Sequence, residues 1–380
     1  MLLEVQTDTS IREVKKKLKD WQKSDDELAK KMSTVELIVG GRKLTNDDST
    51  VSSEGLTEES MVTVLYSIKV IECKEQTADS LFESLLVVKI PEKEETVPMA
   101  AFEGCESLVK VMMPEVKEIR KNAFKDCGNL TILEIGDHTT RILANAFANC
   151  RSLITVDIKG KVISLQDFAF GFCSSMTEVT IPGSLLTIGA DLFFGCTKLV
   201  TVKMPGCNLR HISAGCFRQC KALKKFIVPE SVTSIDDLAF AGCIALEDIQ
   251  IPESVTKIGR RVFKGCVALA EINLPKTVKH LGEGLFHGCT ALEAFIVSDE
   301  VTHIDEFTFA LCTSLTEITL PMSVAKIGRK AFKGCCNMRN LKILNDDAEI
   351  GHQAFFGCNV QVWPAACQSA MPKAKREKLS

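Results

Sequence analysis

The stretch that decides the fold is Leu246–Cys266, LEDIQIPESVTKIGRRVFKGC. Ile249-Gln250-Ile251 alternates apolar and polar residues, as a half-buried strand does. Pro252 removes a ladder donor and ends that strand. Val255 and Ile258, three apart, are expected to point inward from a second extended or turning stretch. Gly259 is expected to permit a tight turn. Val262, Phe263 and Cys266 are expected to share one side of a short helical turn.

The same unit recurs along the chain. Phe-x-x-Cys stands at Phe102, Phe124, Phe147, Phe170, Phe193, Phe217, Phe240, Phe263, Phe286, Phe309, Phe332 and Phe355, at spacings of 22, 23 or 24 residues. One unit buries too little apolar surface to fold alone, so stacking of units must supply the core. Strands about 4.8 Å apart over twelve units give a rod on the order of 55 Å long.

The composition follows from the repeat. The chain has 380 residues with 20 Phe, one Tyr, two Trp and 17 Cys. A disulfide framework belongs to small secreted chains; here twelve cysteines each follow a repeat Phe by three, and a ladder of buried, reduced thiols fits better. Cys73, Cys207, Cys216, Cys336 and Cys367 lie outside that ladder. The net charge of −3 carries no basic excess pointing to nucleic acid. No run of 18 apolar residues suggests a membrane span. The opening MLLEVQTDTSIREVKKK is charged too soon to read as a secretory signal.

The recurring Leu, Ile-x-Ile-Pro, Val-x-x-Ile-Gly and Ala-Phe-x-x-Cys resemble the BspA-like class of leucine-rich repeats, over roughly residues 85–364. The resemblance implies a curved solenoid that binds proteins or surface ligands, and many such relatives are exported surface proteins.

Before residue 80 the repeat is absent. Leu2–Val5 reads as a strand, Ser10–Glu13 as a capping box, and Ile11, Val14, Leu18 and Trp21 as one helix face. Val35–Val39 is a second strand, Gly40-Gly41 a turn, and Met61–Tyr66 a third strand. LEVQTDTSIREVKKKL, VELIVGGRKL and EESMVTVLYSI resemble a ubiquitin-like β-grasp domain. That resemblance implies a partner-binding patch with Ile38 and Leu65 on it and Gly41 and Arg42 beside it. It also implies that the first strand is missing, so that either the sequence is truncated or a sheet edge is open. With no Gly-Gly terminus after the last strand, conjugation to lysines is not expected. The expected fold class is therefore α+β: a ubiquitin-like domain over 1–68, a linker over 69–80, a solenoid of about twelve repeats over 81–364, and a basic tail over 365–380.

Chemistry motifs are scarce. There is no P-loop, G-x-G-x-x-G, H-E-x-x-H or C-x-x-C. His280 and His303 occupy one place in adjacent repeats and His211 sits in the same row; with Asp305 nearby they could bind a metal. Lys257 and Lys326 in that row favour an exposed, tolerant position. Neither metal nor cofactor is expected, and a catalytic cysteine would need a specific base and environment.

The informative surface is the expected concave sheet, where alternate strand residues face outward. The candidate contact residues there are Glu178, Lys203, Lys225, Ile227, Asp248, Gln250, Glu271, Asn273, Ile296 and Glu317. Exposed Ile on a sheet otherwise built of Thr and charges suggests a contact site, although such a face also suits a merely soluble sheet. The expected function is a cytoplasmic, non-catalytic adaptor: the solenoid binds a protein and the N-terminal module engages ubiquitin-receptor proteins. An exported adhesion protein and an enzyme with a His/Cys site are the alternatives.

Overall fold

The computed structural model describes strands 32–39, 42–43 and 62–68, then residues 87–90, 92–158 and 161–360. The first three strands form an antiparallel sheet with Met32–Val39 in the middle, paired to Arg42–Lys43 on one side and Val62–Ile68 on the other. The expected strand Leu2–Val5, the helix after Ser10, and the linker and tail lie outside the described residues.

Over the described residues between 87 and 360 the chain is a parallel β-solenoid of about 11 turns. This overturns the α+β expectation. No helix occurs among the described residues, and every strand pair in the solenoid is parallel and in register one repeat apart. Most complete turns contribute two short strands; the turns carrying 271–273 and 294–296 lack the first, apart from an isolated bridge between Ala294 and Glu317. In the unit quoted above the two strands are Asp248–Gln250 and Lys257–Ile258, with Pro252 opening a turn closed by Val255 N–H donating to its carbonyl at 3.1 Å.

The segment expected to be helical is two consecutive turns, for a backbone reason. Two residues before each ladder Phe, and again two after it, the backbone is left-handed: Asn122 (φ 58°) and Asp126 (φ 63°) around Phe124, Arg261 (φ 56°) and Gly265 (φ 72°) around Phe263. A right-handed helix cannot pass through such residues. The Ala123 N–H donates to the Arg120 carbonyl at 3.1 Å and the Cys127 N–H to the Phe124 carbonyl at 3.3 Å. Each pair closes a turn with its left-handed residue third, the signature of type II. The arrangement points other N–H groups along the rod axis. Phe124 N–H reaches the Ala146 carbonyl at 2.8 Å and Asp126 N–H the Ala148 carbonyl at 2.8 Å. The turn edge is thereby hydrogen-bonded from repeat to repeat, as the strands are.

Gly259 has a different role from the expected tight turn. Its backbone is not left-handed, but a Cβ there would collide with Asp237 of the preceding repeat, whose backbone N would lie 2.6 Å away. Gly328 and Gly351 meet the preceding repeat in the same way, at 2.5 Å. The glycine serves close approach between turns.

The core is a set of parallel side-chain ladders. The twelve Phe stack face to face from Phe102 to Phe355, with ring centroids 5.1–6.0 Å apart. Leu246, Val255, Ile258, Val262 and Cys266 and their counterparts fill the remaining interior. One irregularity comes from sequence. The Phe193–Phe217 interval has one extra residue, absorbed around Gly206 (φ 64°). Both ladders lapse there: Thr187–Ile188 ends one sheet and Thr201–Lys203 ends the other.

Candidate functional site

The outward side of the first strand row is built by alternation. Val179, Phe226, Ile249, Ile272, Phe295 and Ile318 point inward and are buried, so their neighbours on both sides point out. Glu178 and Asp248 are half-buried, while Lys203, Lys225, Ile227, Gln250, Glu271, Asn273, Ile296 and Glu317 are exposed. All ten expected residues thus share one side of the solenoid. Ile227 is 69% and Ile296 83% exposed, the two highest values for large hydrophobic residues among those described.

Sequence reasoning did not single out the residues beneath these two. Phe226 and Phe295 take an inward position that is otherwise Val, Ile or Leu. Phe226 lies 4.9 Å from the Phe217 ring and 5.0 Å from Phe240. Phe295 lies 5.2 Å from both Phe286 and Phe309. Each exposed Ile therefore follows a ring wedged between two ladder rings, in a repeated Phe-Ile-Val that is visible in the sequence at 226–228 and 295–297.

Charge divides the face into two parts. Toward the N-terminal end, charges neutralise one another across repeats: Lys110 with Glu134 at 2.7 Å and Lys203 with Glu178 at 2.5 Å. Over 247–250, 270–273, 293–296 and 316–319 there are five carboxylates, Glu247, Asp248, Glu271, Glu293 and Glu317, and no base. None of the five enters an ion pair found among the described residues.

The opposite, turn-built edge carries aromatic residues that the sequence reading passed over. Phe168 and Phe172 both hold left-handed backbone (φ 54° and 61°), a conformation unusual for so bulky a residue. Phe172 packs edge-on to Phe194 at 4.8 Å, and the Arg218 guanidinium lies over the Phe194 ring at 5.0 Å. Removing the twelve ladder Phe from the count of 20 would have drawn attention to them.

The histidine row and the cysteines hold the remaining expected chemistry. His280 and His303 lie side by side, ring centroids 5.1 Å apart, on paired strands. Among the described residues no group of three or more His, Cys, Asp or Glu could hold a metal ion. The described cysteines are free thiols, and all but Cys336 are buried. Eleven of them donate S–H to the carbonyl of the preceding repeat's Phe, from Cys127 to Phe102 at 3.0 Å through Cys358 to Phe332 at 3.1 Å. Burial pushes Cys127, Cys173, Cys243 and Cys312 up to about 12, so none supplies a thiolate near neutral pH. Burial, helped by the nearby Lys264, holds His287 below its ordinary value.

Of the N-terminal patch, Ile38 and Leu65 stand on paired strands, Ile38 opposite Thr63 and Glu36 opposite Leu65, and Arg42 pairs with Val39. Gly41 lies outside the described residues.

No curated protein matches the chain. Among solved structures, a leucine-rich repeat protein from Bacteroides ovatus is 25% identical, covers 86% of this chain and 92% of its own, and superposes with a TM-score of 0.52. One from Eubacterium ventriosum is 21% identical, covers 80% and 92%, and has a TM-score of 0.56. The sequence matches the BspA type leucine rich repeat region in 6 copies, over residues 75–171, 140–269 and 233–361. Those spans make up about three quarters of the chain, and with the ladder of strands, Phe and Cys they place it in the BspA type leucine-rich-repeat family.

Proposed function

We propose that the protein is a non-catalytic scaffold that captures a protein partner on the outward side of its first strand row, in the cytoplasm. The observation that carries this is the pair of highly exposed isoleucines, Ile227 and Ile296, on a largely polar face, each following a Phe ring wedged between two ladder rings. Large exposed apolar side chains at fixed positions are what a partner's surface can desolvate. The cytoplasmic placement is supported by the row of thiols whose S–H groups are committed to carbonyls, an arrangement suited to a reducing compartment. Quantitative affinity purification from the source cells tests the reading. Ile227→Arg with Ile296→Arg should deplete the partner at least about tenfold, because an apolar contact cannot solvate the new charge, while Leu186→Arg, just before the second-row strand Thr187–Ile188, should not. Equal recovery with all three chains would remove the face from the account.

Residues 1–68 are proposed as a second docking module of ubiquitin-like type. The antiparallel pairing of 32–39 with both 42–43 and 62–68 supports this reading. In the full chain, Ile38→Asp should abolish binding to a ubiquitin-receptor domain and leave the solenoid's partner bound. Retained receptor binding would refute the assignment of that patch.

A further inference from the structure

Resting on the strand-face reading above, we propose that the face takes a cationic polypeptide segment, seated between Ile227 and Ile296 and running across the turns that separate them. The two isoleucines occupy the same outward position three repeats apart, about 14 Å at the strand spacing, a distance that four or five extended residues cover. The turns between and just beyond them present Glu247, Asp248, Glu271, Glu293 and Glu317 with no base among them. On the earlier turns of the same face, acid and base already satisfy each other through Lys110–Glu134 and Lys203–Glu178. The later carboxylates have no such ion-pair partner among the described residues, so a ligand supplying Lys or Arg meets a field of one sign. Lys224 and Lys225 close the strip at one end and Arg339 and Lys342 at the other, which confines the attraction to the middle. The same field repels nucleic acid and anionic lipid. Because Phe226 and Phe295 pack against the ladder rings directly beneath the two isoleucines, little ordering cost falls on the scaffold side.

The test pans a phage-displayed library of 12-residue peptides on the immobilised full chain and on its Ile227→Arg, Ile296→Arg variant. Peptides recovered on the first and lost on the second report on the face. The expected result is that they carry net positive charge interleaved with apolar residues. Face-dependent peptides that come out neutral or acidic would overturn the cationic proposal and leave the face reading standing. Absence of any face-dependent peptide would overturn both. A second measurement takes the leading synthetic peptide against Asp248→Asn, Glu271→Gln, Glu317→Gln, whose carboxylates stand on the outward side and whose fold is checked by thermal melting. Affinity should fall about tenfold, and its dependence on salt should flatten. Unchanged affinity and salt slope would refute the proposal.

Discussion

At the scale of the residue, glycine shows where sequence reading succeeds and where it needs the third dimension. The Ile-Gly step was legible as special, but its reason was not, because the obstacle to a side chain is Asp237 in the preceding repeat. Conversely, the left-handed positions that do break the chain direction are often filled by Asn, Asp, Leu, Arg or Phe, which hides them from a search for Gly. The two roles separate experimentally. Gly259→Ala should destabilise by about 1–3 kcal/mol through forced displacement of packed backbone. Gly265→Ala meets no atom closer than 3.9 Å and should cost about 1 kcal/mol, mainly for left-handed backbone. Urea titrations of both variants check the order, and a neutral Gly259→Ala would mean the turns do not approach as closely as described.

At the scale of the element, the strands were readable because an alternating Ile-x-Ile has period two wherever it stands. The Ala-Phe-x-x-Cys segment suggests a helix from sequence because three-residue spacing of apolar side chains suits a helix and a pair of type II turns equally. Only the backbone signs on either side of Phe decide. The cysteine ladder was legible as packing, but its S–H···O=C bonds were not, since they join a Cys to the Phe of the repeat before. That ladder gives a pH signature. Burial raises the folded Cys243 thiol from the ordinary 9.0 to about 12. Below pH 9 both states hold the proton and nothing changes. Between about 9 and 12 the unfolded chain releases it and the folded chain does not, so each such thiol lowers stability by about 1.4 kcal/mol per pH unit. Denaturation midpoints should be level from pH 6.5 to 8.5 and fall steeply above 9, less steeply in Cys243→Ala. A midpoint independent of pH up to 10.5 would contradict the buried, protonated ladder.

At the scale of the whole molecule, the solenoid is a one-dimensional array in which each repeat leans on its neighbours. Phe240 is sandwiched between the Phe217 and Phe263 rings at 5.4 and 6.0 Å and props Phe226 beneath Ile227. Phe240→Ala should cost about 3–5 kcal/mol, and it should divide unfolding near the middle of the rod. Hydrogen exchange would show protection lost first in the repeats on either side of residue 240, and uniform loss along the solenoid would argue against nearest-neighbour stability. The period, the Phe ladder and the outward positions were present in the sequence, although the stretches 271–273 and 294–296 do not form the strands that alternation suggests. What was not legible was which part of that long face is chemically distinct, because the self-neutralising pairs Lys110–Glu134 and Lys203–Glu178 join residues 24 or 25 apart, and their contrast with the later carboxylates appears only when the repeats are stacked.

The proposed seat of the partner protein is this outward face. A photoreactive benzoylphenylalanine placed at position 250, 273 or 296 of the full chain tests it most directly inside the source cells. Positions 186 and 267, exposed away from that face, serve as controls. A common protein adduct is expected from 250, 273 and 296 on illumination, and none from 186 or 267. Adducts formed from the control positions, with none from the three face positions, would contradict it.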